Sequence, residues 1–200
     1  MLPEDWLNGF RLFHHPGITM LDANLYLTLH NNILIYSDLS MKEVSVRNIR
    51  EELNLRSPRE LRELCLRLSR FKKENKELLI YILFESEDEE SYIEGIKDEI
   101  DEKFEQINIE NYSYIKKGVR KILRLTRKYI RYSPRKQTEV ELLIYFCQKL
   151  KDFYPSIQKN TGLLNLYKRQ VESIARKISI LHEDLQFDFG IELEKLSSYR

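Results

Sequence analysis

The spacing of apolar residues after Met41 constrains the fold more than any other feature of this chain. They recur every three or four positions, which is the periodicity of a helix that buries one face. A run after Ser57 shows the pattern, with Leu61, Leu64, Cys65, Leu68 and Phe71 on one side. Only six Gly and five Pro interrupt the 200 residues. The spacing therefore predicts an all-α fold, either a helical bundle or a short α-solenoid.

Start and stop signals divide this region into six predicted helices. Ser57 with Glu60 forms a capping box, with Pro58 at the first helical position. Ser86 with Glu89 and Thr138 with Glu141 have the same spacing, and they predict two further helix starts. The fourth helix is predicted from about 112 to 132, and the last one from about 161 to 186, with heptad-like apolar spacing.

A short internal match predicts that these helices form two similar units. The sequence ELLIY occurs at 77–81 and again at 141–145, an offset of 64 residues. Each copy lies between a basic helix and a third amphipathic helix, so we expect a tandem repeat over about 58–107 and 122–186. A chance match is the alternative, because Leu, Ile and Tyr are common in this chain.

Residues 1–40 differ in composition from residues 41–200, which form the predicted helical domain. They hold a single basic residue, Arg11, three of the four histidines and the one tryptophan. We interpret them either as a small N-terminal extension or as codons that precede a start at Met41. Leu25, Leu27 and Leu29 alternate with other residues before Asn31-Asn32, a pattern that predicts a β-hairpin if the segment belongs to the protein.

Two long stretches after Met41 resemble a group of uncharacterised bacterial helical proteins. They are RSPRELRELCLRLSRFKKENKELLIYILFE and RKILRLTRKYIRYSPRKQTEVELLIYFCQKL. The resemblance covers roughly the last 160 residues, and these relatives begin near the equivalent of Met41. It implies a helical fold and supports the separate status of residues 1–40. It implies no activity, since these stretches contain no known catalytic or binding residue.

Charge is segregated along the chain although the net charge is only +1. Residues 85–110 hold twelve acids and two lysines, and residues 114–136 hold ten Lys and Arg without an acid. We expect the two blocks to pair, within one chain or between subunits, because helices joined by a short loop usually run antiparallel.

The basic helix is also the predicted binding site for an acidic partner or a polyanion. Its candidate residues are Lys117, Arg120, Lys121, Arg124, Lys128 and Arg131. A protein partner or self-association is the first interpretation. Nucleic acid is the alternative, with Tyr114, Tyr129 and Tyr132 available to stack on bases.

The sequence contains no pattern typical of a catalytic, cofactor or metal site. Cys65 and Cys147 lie on apolar helical stripes, and we expect both to be inert core residues. His182 has no second ligand at the spacing that zinc sites need. No window approaches 18 apolar residues, and no signal peptide is recognisable. We therefore predict a cytoplasmic, noncatalytic helical scaffold or protein-interaction domain that binds no cofactor and no membrane.

Overall fold

The computed structural model describes residues 44–197. The chain consists of two compact units, Met1–Leu64 and Cys65–Arg200. The described part of the first unit contains helix α1 (Val46–Asn54) and the start of α2 (Pro58–Phe71). A capping box between Ser45 and Asn48 begins α1, which buries none of its residues. The β-hairpin predicted around Asn31-Asn32 lies outside the described residues.

The second unit is also helical throughout its described part. After α2 come α3 (Lys73–Ile80), a π-helical turn (Tyr81–Glu85), α4 (Glu89–Glu105), α5 (Tyr112–Ile130), α6 (Lys136–Lys151), a 3₁₀ turn (Ile157–Lys159), α7 (Thr161–Ile178) and α8 (Glu183–Ser197). No strand occurs between residues 44 and 197, so the predicted all-α class is confirmed. The tandem repeat stays a prediction.

Helix α6 forms the centre of the core and packs against α4, α5, α7 and α8. It is apolar on more than one side, which is typical of a helix surrounded by others. Its buried residues are Thr138, Val140, Leu142, Leu143, Ile144, Phe146, Cys147 and Leu150. Helix α4 adds the Phe104 ring, whose centroid lies 5.8 Å from that of Phe146. The second ELLIY run is therefore a central core helix.

One of the three predicted capping boxes is confirmed, and two are wrong. At the start of α2, the backbone N–H of Ser57 donates to Glu60 at 2.8 Å. Helix α4 is instead capped by Asp88, which accepts from the Ser91 backbone at 3.1 Å. Helix α6 begins before Thr138, so that residue lies inside the helix. Thr138 and Glu89 are both buried and hydrogen-bond to each other, a tertiary contact that local spacing does not reveal.

The last predicted helix is wrong as a single element, because the chain turns between Ile178 and Glu183. The side chain of Gln186 donates to the Leu181 carbonyl at 2.8 Å within this turn. The turn lets α8 pack back on α7, where the Tyr167 hydroxyl donates to the Leu196 carbonyl at 2.9 Å. Packing two helices on α6 buries more apolar surface than one long helix with a free end.

The two cysteines differ in burial, so the prediction that both are core residues is wrong for Cys65. Cys147 is fully buried, and burial raises the pKa of its thiol to about 12. Cys65 is exposed, because α2 buries none of its residues and so its apolar stripe is not covered.

We expect one thiol per chain to react with a maleimide in the native state, and the second to react only on unfolding. The native reaction of Cys147 should be slower by a factor of about 10³ or more, since it requires an opening of the core. Mass spectrometry of the labelled Cys65→Ser variant measures this difference. Fast native labelling of that variant would contradict the buried position of Cys147.

Candidate binding surface on helix α5

Helix α5 separates a buried apolar side from a basic side. Asn111 caps it by accepting from the backbone of Ser113 and Tyr114. Its buried residues are Ile115, Val119, Ile122, Leu123 and Thr126. The other side, here called the basic face, consists of Lys116, Lys117, Arg120, Lys121, Arg124, Arg127, Lys128 and the C-cap Arg131. The helix ends close to the predicted boundaries.

The acidic block does not neutralise the basic face within this chain. Helix α4 buries its apolar side, and its Asp101 pairs with Lys149 of α6 at 2.8 Å, while its Glu99 accepts from the hydroxyl of Tyr129 and not from a cation of α5. Within residues 44–197, the one ion pair between segments 85–110 and 114–136 joins Arg135 to Glu89 at 3.7 Å. Pairing of the two blocks within the chain is therefore limited to this one contact, and pairing between subunits stays a prediction. The reason is that the two helices bury their apolar faces, which turns the charged faces in other directions.

Two members of the basic face have polar partners elsewhere in the second unit. The Lys128 ammonium lies 2.7 Å from Glu77 of α3, and both side chains are largely buried. The Arg127 guanidinium donates to Gln170 of α7 at 2.9 Å. The predicted candidate Lys128 is thus already occupied by a structural ion pair.

The other five predicted candidates are exposed and lack such a neutralising partner. They are Lys117, Arg120, Lys121, Arg124 and Arg131. No carboxylate of residues 44–197 lies within 4.0 Å of their charged groups. At 1.5 Å per residue, the row from Lys117 to Arg131 extends roughly 21 Å. These exposed positive charges form a row that an anionic group can approach from solvent.

An open groove of about 880 Å³ runs along one side of the basic face. Apolar side chains of Ile107, Ile122 and Leu125 contribute to its lining. Its charged lining consists of Lys103, Lys117, Lys121, Arg124, Arg127, Lys128, Arg131 and one acid, Glu74. We call it the main groove.

A glycine brings the helix close to the groove lining. A Cβ at position 118 would lie 3.0 Å from Cγ1 of Ile107, so a larger residue would displace that side chain. A smaller groove of about 390 Å³ adjoins the main groove, shares Lys117, Arg124 and Arg127 with it, and is also lined by Lys116 and Arg120.

The three tyrosines proposed for base stacking are not equivalent. Tyr114 is 49% exposed and lines the main groove. Tyr129 donates its hydroxyl to Glu99 at 2.5 Å, and the buried Tyr132 donates to Glu77 at 2.8 Å. Only Tyr114 of these three presents an accessible ring for stacking.

Two glutamates, Glu89 and Glu77, connect neighbouring helices through contacts that the sequence analysis did not predict. Glu89 is 7% exposed and accepts from the hydroxyls of Tyr81, Ser133 and Thr138. Burial disfavours its charged form, but these hydrogen bonds outweigh burial and lower the pKa of the carboxyl.

Glu77 accepts in the same way from Lys128 and Tyr132, and its pKa is lowered against the effect of burial. These partners lie more than 40 residues away in sequence, apart from Tyr81, so no local motif marks either glutamate.

The remaining candidate positions give no chemical site. His182 is exposed and lies 3.3 Å from Asp184. Between residues 44 and 197, no three His, Cys, Asp or Glu side chains form a group that could hold a metal ion. Among the described helices, none is long and apolar enough to cross a membrane.

Comparison of the chain with protein-family models, curated proteins and solved structures found no match.

Proposed function

We propose that this chain is a noncatalytic helical interaction domain whose basic face binds an acidic region of a partner protein. The observation that carries the proposal is the row of five exposed cations without a neighbouring carboxylate among residues 44–197. Like charges three and four residues apart repel each other, which lowers helix stability unless an anionic group compensates them. Binding of an acidic segment would supply that compensation.

The main groove favours a protein partner because apolar and charged groups are combined in it. Ile107 and Leu125 are half-buried beside the cations, so an amphipathic helix with acidic and apolar residues matches the lining. Interfaces of this kind gain affinity from buried apolar contacts and orientation from the surrounding charges.

Nucleic acid is the second candidate, favoured by the ratio of seven cations to one acid around the main groove. Phosphate contacts alone give weak, strongly salt-dependent binding without sequence preference. Tyr129 and Tyr132 donate hydrogen bonds to Glu99 and Glu77, respectively. Their rings therefore offer little surface for base stacking.

Reversing three charges of the main groove should weaken binding of an acidic partner by at least about tenfold. Each of these cations attracts the partner's acids, and all three lie close together along the groove. The change is Lys117→Glu, Lys121→Glu and Arg124→Glu in one protein. The probe is a fluorescent amphipathic peptide of Glu and Leu, and its anisotropy is measured against protein concentration. A DNA 20-mer of mixed sequence is measured in parallel at the same salt concentration.

The control variant is Lys168→Glu with Arg176→Glu, two exposed cations of α7 that are not among the described lining residues of either groove. Its affinity for the peptide should stay within about twofold of wild type, because neither side chain lines a groove that would hold the peptide. Tight, steeply salt-dependent DNA binding without peptide binding would favour the nucleic-acid function. Equal loss in both variants would contradict a localised site.

A further inference from the structure

Helix α8 has an exposed face that combines acidic and apolar side chains, the combination that matches the main groove. Five exposed residues lie on one side of this helix, each three or four positions from another member of the set: Asp184, Phe187, Asp188, Ile191 and Glu194. Phe187 is 71% exposed and Ile191 45%. Two apolar side chains one turn apart with acids around them form an amphipathic acidic strip. We call it the acidic strip.

No ion pair to Lys or Arg and no helix packing involves the strip within residues 44–197. Helix α8 packs on α6 and α7 through residues such as the buried Leu196, which leaves the strip on the outer side. Asp188 and Glu194 have no cation within 4.0 Å among residues 44–197, and Asp184 is near His182 alone. Lys195 lies at the edge of the strip, and its backbone carbonyl accepts from Lys151.

The strip and the main groove are complementary in charge, polarity and length. From Asp184 to Glu194 the strip extends about 15 Å, and the basic row that borders the groove extends about 21 Å. Phe187 and Ile191 match the apolar lining formed by Ile107, Ile122 and Leu125. The acids match Lys117, Lys121, Arg124 and Arg131, which have no carboxylate within 4.0 Å among residues 44–197.

We propose that α8 of one copy docks in the main groove of a second copy. This inference rests on the proposed function, since it names the acidic partner of the same groove. The two faces differ, so the contact is head-to-tail and leaves one groove and one strip free in each pair of chains. Such heterologous contacts continue into a ring or an open chain.

Sedimentation velocity of the full chain tests the proposal over a range of concentrations. The average mass should rise with concentration at about 50 mM salt and fall back at about 500 mM, where charges are screened beyond about 4 Å. A strip variant, Phe187→Ser with Ile191→Ser, should weaken association by at least about tenfold. A groove variant, Lys121→Glu with Arg124→Glu, should do the same.

Mixing the two variants gives the sharpest test. The strip variant keeps an intact groove and the groove variant keeps an intact strip, so the mixture should form one-to-one dimers that neither variant forms alone. The control is Phe84→Ser, which removes an equally exposed aromatic ring, 77% exposed, from a different apolar patch. It should leave association unchanged.

Three results would overturn the inference. They are a wild-type protein that stays monomeric at low salt, a mixture without dimers, or a Phe84→Ser variant that abolishes association while the strip variant does not. The proposed function fails separately. If the acidic peptide binds in the groove but the protein stays monomeric, the groove has another partner and only the inference is lost. If the chains associate through other faces and the peptide does not bind, both are lost.

Discussion

Replacing Glu89 with Ala should lower the free energy of unfolding by about 3 kcal/mol or more, because it removes the acceptor of a buried network. The hydroxyls of Tyr81, Ser133 and Thr138 would lose their common partner, and all four residues are buried. Urea denaturation followed by circular dichroism measures the change. The matched control is Glu90→Ala, one position along and exposed, which should change stability by less than about 0.5 kcal/mol.

The same network predicts a pH dependence. The folded pKa of Glu89 lies below its ordinary value of 4.5, so the unfolded state binds its proton more strongly than the folded state. Its contribution to stability is therefore complete above pH 4.5 and is lost as pH falls through the folded pKa. The Glu89→Gln side chain keeps the shape of glutamate and cannot titrate. As pH falls below about 5, the free energy of unfolding of this variant should therefore lack the part of the decline that Glu89 causes. An unchanged decline would show that other carboxylates cause it.

Much of the fold was predictable because helix periodicity is local. The spacing that predicts α5 is confirmed almost to the residue, and the apolar ELLIY run of α6 does lie in the core. The errors occurred where tertiary packing overrides local signals. Thr138 and Glu89 have the sequence positions of caps, yet they contact each other across the core. The turn before α8 exists because two helices can then pack on α6, a gain that no local pattern expresses.

The candidate surface was predictable in part, for the same reason. Eight cations on one side of α5 follow from the sequence at 100° per residue. Whether carboxylates cover them depends on how neighbouring helices rotate, which local spacing does not determine. Asp101 of α4 pairs with Lys149 of α6, while the acid that pairs with Lys128 of α5 comes from α3. Neither pairing follows from the adjacency of the two charged blocks.

Glu77→Gln should have opposite effects on stability and on binding, since Glu77 holds Lys128 and Tyr132 while neutralising one cation of the main groove. The amide can still accept from one of these donors, but it no longer compensates the largely buried ammonium of Lys128. We expect a loss of about 1 to 3 kcal/mol in the free energy of unfolding. The freed charge should strengthen binding of the acidic Glu-Leu peptide by about twofold to fivefold.

Glu74→Gln provides the matched comparison, because it removes the one acid among the described lining residues of the main groove. Glu74 is exposed and has no ion pair within residues 44–197, so this variant gains the same unit of charge without breaking a buried contact. Peptide affinity should rise in both variants, whereas stability should fall only in Glu77→Gln. Anisotropy and urea denaturation of the same preparations measure the two quantities. A fall in affinity for both would mean that the acidic peptide does not bind in the main groove, because added positive charge there can only attract it.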